Sequence, residues 1–124
     1  MRIAVLVKEV PDTWGERRLD PETGLVDRTG SPAVLDEIGE RAVEAALAYA
    51  DAHAGTEVVV VTMAPASATA NVRKALAMGA TSALHVVDDR LRGADLVLTA
   101  DVLAAAVRRV APDLVIAGNV STDG

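Results

Sequence analysis

Met1-Arg2-Ile3-Ala4-Val5-Leu6-Val7-Lys8 sets five consecutive apolar residues between two basic ones. A run that short and that continuous suits a strand covered on both faces. Val58 to Met63 and Leu114 to Ala117 read the same way, and Ala83 to Val87 carries His85, as an outer strand can. Helical patterns lie between these runs. Asp36 is placed to cap a helix reaching about Ala54, with Ile38, Ala42, Ala45, Ala46 and Tyr49 on one stripe and Gly55 as its stop. A second helix spans about Ser67 to Met78, with Val72, Ala75 and Leu76 inward and Gly79 after it. A third is capped by Asp95 or Thr99 and runs to about Val110, closed by Pro112. The order β–α–β–α–β–α–β predicts a Rossmann-like α/β fold with a parallel sheet and right-handed crossovers. The first strand should be central, with the fourth beside it and the second and third on the other side.

The chain has 124 residues, 51% of them hydrophobic, which fits one ordinary domain over 1–124. A parallel strand normally needs a covering helix after it. The chain is therefore expected to be truncated after its fourth strand, with the domain incomplete at its C-terminus. The segment 9–34 is long for a connector in a compact domain. Within it, Arg18 to Val26 reads as a small hairpin around Asp20-Pro21-Glu22-Thr23-Gly24. That segment is expected to project as a β-ribbon and to serve a protein interface rather than a ligand pocket. Trp14, the one tryptophan, either plugs an end of the sheet or faces a partner.

Twelve Lys and Arg against 18 Asp and Glu give a formal charge of −6, which argues against a nucleic-acid partner. The absence of cysteine excludes disulfides, Cys-ligated zinc, iron–sulfur clusters and a catalytic thiol. Five apolar residues at the N-terminus are too few for a signal peptide or a membrane span, so a cytoplasmic protein is expected. His53 and His85 have no metal-ligand spacing, and the serines have no histidine neighbour. Neither G-x-G-x-x-G nor the P-loop pattern is present. No catalytic and no metal-binding residue is assigned. In an open parallel sheet, ligands bind beyond the carboxyl ends of the strands, where the strand order reverses. Those ends are Val7-Lys8, Met63-Ala64-Pro65 and Gly118 to Asp123. The last of these is either a polar connector or a site where Gly118 admits a ligand to the backbone.

Four stretches carry a family likeness. They are Val7-Lys8-Glu9-Val10-Pro11-Asp12, Asp36 through Ala46, Arg73 through Ala80 (R-x-A-L-A-M-G-A), and Pro112-Asp113-Leu114-Val115-Ile116-Ala117-Gly118. Collinear and in this order, they resemble the electron-transfer flavoprotein β subunit of bacterial type. The resemblance implies a three-layer, adenine nucleotide α-hydrolase-like sandwich. It implies a non-enzymatic electron carrier paired with an α subunit that holds most contacts to the redox FAD. The β subunit would bind AMP, or a second FAD in bifurcating relatives. The heterodimer would take electrons from acyl-CoA or other dehydrogenases to an acceptor. Carried over by position, the nucleotide contacts would be Leu6, Asp36, Glu37, Ile38, Gly39 and Met63. Gly118, Asn119, Val120, Ser121, Thr122, Asp123 and Gly124 would begin the phosphate loop, with Asp123 shaping it or meeting ribose. Asp36 stands where the family often has Asn, and Met63 where the family is often smaller. The competing readings are a stand-alone nucleotide-binding module of universal-stress-protein type, whose glycine-rich last-strand pattern is missing here, and a small α/β enzyme completed by residues elsewhere.

Overall fold

The computed structural model describes residues 1–123. In chain order its elements are β1 (Arg2–Leu6), β2 (Glu9–Pro11), β3 (Ala33–Leu35), α1 (Glu37–Ala52), β4 (Glu57–Met63), α2 (Thr69–Ala77), β5 (Ser82–Val86), α3 (Leu96–Val110) and β6 (Leu114–Ala117). Short 3-10 turns occupy Ala66–Ala68 and Asp89–Leu91.

Four strands form one parallel sheet in the order β5-β4-β1-β6, the order expected from the sequence. Ala4 lies between Val59 and Val115, and Leu6 between Val61 and Ala117. The inner strands β1 and β4 are continuous apolar runs with helices on both sides, but β6, which the sequence read the same way, is an edge strand whose Leu114 and Val115 are exposed. Ile3, Val5, Val58 and Val60 pack beneath α1 and α2, against Ala42, Val43, Ala46 and Ala75. Ala4, Val59 and Val61 face Ala106 and Val110 of α3. The fold is thus three layers, helices on each side of a parallel sheet. Each fully buried valine of the inner strands contributes roughly 1.5–3 kcal/mol. His85 stands on the outer strand β5, where its Nε2 lies 3.0 Å from the Ala64 carbonyl oxygen.

The buried stripe of α1 differs from the sequence expectation. Gly39, Ala42, Val43 and Ala46 are buried, while Ala45 and Tyr49 are exposed. Gly39 lies against Val7, where an added Cβ would make an ordinary 3.5 Å contact with the Val7 Cα. The helix turns its glycine toward β1, so the contact line runs through 39, 42, 43 and 46. Tyr49 instead stacks on His53 at the helix end, with ring centroids 3.9 Å apart. Of the two candidate caps for α3, Asp95 does the work, its Oδ1 accepting from Leu98 N at 2.8 Å. That helix ends on Ala111 in the left-handed region, φ 49°, just before Pro112.

The segment after β1 rises as an antiparallel ribbon, β2 on β3, with Val10 opposite Val34. Beyond it, Leu19 and Val26 make an antiparallel bridge. The Asn71 amide of α2 donates to the Glu9 carboxylate at 2.7 Å and to the Ala33 carbonyl at 3.2 Å, pinning the base of the ribbon. Trp14 is 93% exposed, so it does not plug the sheet.

Candidate functional site

The strand order makes the site. The chain runs β1, β4, β5 outward in one direction, then crosses back to lay β6 on the other flank of β1. The reversal therefore falls between β1 and β6, and three segments meet at their carboxyl ends. Lys8 follows β1, Asp36 begins α1, and residues 118–123 follow β6. The Asp36 amide donates to the Lys8 carbonyl at 2.9 Å, which draws the first two together.

Asp36 is buried, and both its carboxylate oxygens are taken by the chain's own amides. Oδ1 accepts from Ile38 N at 3.2 Å as the helix cap, and Oδ2 accepts from Thr122 N at 2.9 Å. An acidic acceptor is what two amide donors require. Asp36 therefore ties the start of α1 to the segment after β6.

Gly118 leaves β6 directly against Ile38. A Cβ at Gly118 would fall 2.2 Å from Ile38 Cγ2, so the space beside this glycine belongs to Ile38 and not to a ligand. Lys8 Nζ then reaches Ser121 Oγ at 3.2 Å and Asp123 Oδ1 at 2.6 Å. Arg28 Nη1 lies 3.1 Å from Asp123 Oδ2, and Arg17 donates to the Thr122 carbonyl. The Asp123 side chain is 1% exposed. Burial alone would push its carboxyl pKa up. Hydrogen bonds from Lys8 and Ser121 and the charges of Lys8 and Arg28 outweigh that and hold it below the usual carboxylate range. Thr122 Oγ1 is buried without a hydrogen-bond partner among the described residues.

Of the residues singled out from the sequence, Asp36, Ile38, Gly118, Ser121, Thr122 and Asp123 come together here. Gly39 supports them from beneath, against Val7. Glu37, Asn119 and Val120 are exposed at the rim. Met63 ends β4, two strands from β6, which is about 10 Å across a sheet. Leu6 lies on the α3 side of the sheet, lining a cavity of about 400 Å³ with Leu96, Thr99, Ala100, Leu103, Ala104 and Val107. Gly124 lies outside the described residues. The sequence reading placed Lys8 at a strand end without giving it a role, and missed Arg17 and Arg28. Lys8 was visible as the first residue past a central strand, but the arginines sit on the ribbon about a hundred positions from their partners, with no spacing to betray them. The ribbon does reach the 118–123 segment, although it was expected to stay clear of it.

The sequence model described as the electron transfer flavoprotein domain matches residues 23–124. The chain belongs to that family. It is 50% identical over 127 residues to the electron transfer flavoprotein subunit beta of Mycobacterium tuberculosis strain H37Rv, covering 98% of this chain and 48% of that protein. It is 45% identical over 125 residues to the caffeyl-CoA reductase–Etf complex subunit CarD of Acetobacterium woodii, covering 100% of this chain and 47% of that protein. Protein FixA of Azorhizobium caulinodans is 41% identical over 129 residues, with 100% of this chain and 45% of that protein covered. The chain thus spans about half the length of the curated relatives it matches, and its likeness is to the β subunit of an electron transfer flavoprotein. Among the described residues, no helix is long and apolar enough to cross a membrane, and no group of three or more His, Asp or Glu is placed to hold a metal.

Proposed function

We propose that this chain is the nucleotide-holding part of an electron transfer flavoprotein β subunit, an electron-carrier subunit that binds AMP and works in the cytoplasm in a heterodimer with an α subunit. The observation that carries the reading is the meeting of Lys8, Asp36 and residues 118–123 at the reversal between β1 and β6, the place where open α/β sheets take ligands. The residues suit an adenine nucleotide. Lys8, Arg17 and Arg28 concentrate positive charge there in a chain of net charge −6. Thr122 adds a buried hydroxyl that has no hydrogen-bond partner among the described residues. Asp36 and Asp123 are each neutralised or hydrogen-bonded by the protein, so they do not confront a phosphate as bare charges.

In this reading AMP is structural. An FAD held mainly by the α subunit supplies the electron-carrying ring, and acyl-CoA or other dehydrogenases deliver electrons to the heterodimer. Co-expression with the α subunit tests it. The purified complex is denatured and its released nucleotides are separated by chromatography. One FAD and one AMP per heterodimer is the expected result. Two FAD and no AMP would assign the second flavin to this site. A complex that releases no adenine nucleotide beyond a single FAD would overturn the reading.

A further inference from the structure

We propose that the β2–β3 ribbon is an arm of the loop it overhangs, and that Arg17 and Arg28, acting with Lys8, are positioning residues that hold residues 118–123 in the shape that receives a nucleotide. What the loop holds rests on the function proposed above; the hold itself does not.

The ribbon is built to deliver these two side chains. Its base is fixed by the β2–β3 ladder, by Asn71 of α2, and by Asp12 N donating to the Pro32 carbonyl at 2.8 Å. Higher up, Asp27 N donates to the Arg18 carbonyl at 2.8 Å, which ties the stretch carrying Arg17 to the stretch carrying Arg28. Two arginines from one anchored hairpin then meet consecutive residues of the loop, the Thr122 carbonyl and the Asp123 carboxylate.

The loop has reason to depend on them. A carboxylate enclosed as fully as that of Asp123 is tolerated only while its charge is paired, because leaving an ion buried alone is strongly unfavourable. Lys8 Nζ hydrogen-bonds Oδ1, whereas Arg28 meets Oδ2 as an ion pair at 3.1 Å, and Oδ2 has no hydrogen-bond partner among the described residues. With Arg28 gone, Oδ2 loses its only charged contact among the described residues, and the loop can solvate it only by opening. Arg17 acts on the backbone. A trans peptide is planar, so a Thr122 carbonyl directed at Arg17 aims the Asp123 N–H away from it. The guanidinium thus sets the direction of the Asp123 amide within the loop.

Hydrogen–deuterium exchange of the ligand-free protein reads the hold directly. In Arg28→Ala and Arg17→Ala, peptides covering 118–123 should exchange at least tenfold faster than in the wild type, while peptides covering β1 and β4 keep their protection. Arg28→Lys should restore most of the loop protection. Arg90→Ala removes an exposed arginine paired with Asp88 and should change nothing in the loop. In a background of Asp123→Asn, adding Arg28→Ala should alter loop exchange less than twofold, because the charge it serves is already absent. The same variants titrated with AMP should bind at least tenfold more weakly. Loop exchange in Arg28→Ala and Arg17→Ala equal to the wild type would overturn the proposal, as would an Arg28→Ala effect of the same size with and without the Asp123 charge. If an alanine variant loses core protection as well, Arg28→Lys and Asp123→Asn decide the matter by the same comparison. Failure of the wild type to bind AMP would remove the nucleotide reading and leave the exchange data to judge the hold.

Discussion

Replacing Gly118 by Ala puts one methyl group where Ile38 already stands. The new Cβ would fall 2.2 Å from Ile38 Cγ2 and 3.3 Å from Ile38 Cβ, so the nearer contact is about 1.2 Å short of the 3.4 Å at which ordinary packing begins. Ile38 has little freedom to retreat. It sits in the first turn of α1, its amide is bonded to the Asp36 cap, and a β-branched side chain in a helix has one strongly preferred rotamer. Overpacking of this kind costs about 1–3 kcal/mol. Alanine offsets part of that, about 0.4–1 kcal/mol, by restricting the unfolded chain, since Gly118 has no left-handed φ to preserve. A net loss of about 1–2 kcal/mol is expected, or a Tm lower by roughly 4–8 °C at about 4 °C per kcal/mol. The assay is a double-mutant cycle by urea unfolding. Ile38→Ala removes the obstructing methyl, so Gly118→Ala should cost less than about 0.5 kcal/mol in that background, a coupling of about 1 kcal/mol or more between the two positions. Strictly additive effects, or a Gly118→Ala protein as stable as the wild type, would refute the reasoning that this glycine exists to let β6 pass Ile38.

Asp36→Ala should cost about 2–3 kcal/mol, one part from the lost cap of α1 and one from the orphaned Thr122 amide, measured as the shift of a urea midpoint at constant m. Asp36→Asn should fall between, because an amide group can accept from only one of the two N–H donors without turning its own donor on the other. The Asp123 carboxyl is held low in the folded state, so the folded protein binds fewer protons than the unfolded one once pH drops below about 4. Its stabilisation is complete above that pH and is lost as pH falls through the folded value. Loop amide exchange should therefore quicken with acid, over and above the intrinsic rate, in the wild type and not in Asp123→Asn. Trp14→Ala should change stability by less than about 0.5 kcal/mol, given that its ring is 93% exposed. As the one tryptophan, Trp14 should emit at a water-like wavelength, and a blue shift on adding an electron transfer flavoprotein α subunit would place the stretch just past β2 in an interface with it.

The four strands of the parallel sheet, their order and the helix stops were legible in the sequence because each rests on local chemistry; the strands β2 and β3 of the ribbon were not read there. Short apolar runs bounded by polar residues marked the sheet strands, although only β1 and β4 proved covered on both faces. Asp36 and Asp95 cap whatever helix follows them, and Gly55 and Pro112 end the ones before. The crossover rule then leaves few ways to order four strands. The strand ends that form the site were legible for the same reason, since the reversal of strand order follows from the order itself. What joins them was not. The face α1 turns inward, through Gly39, Ala42, Val43 and Ala46, is set by how the helix docks on the sheet, which the apolar stripe alone did not give. The space beside Gly118 looked open from the sequence and is filled by Ile38, which lies eighty positions earlier and arrives only when α1 docks. Asp123 was expected to shape the loop or meet ribose; Lys8 and Arg28 pair with its charge, one from the end of β1 and one from the segment between β2 and β3. Ion pairs and steric contacts between distant segments depend on where the backbone carries each residue, and that is decided by packing the sheet and its helices together.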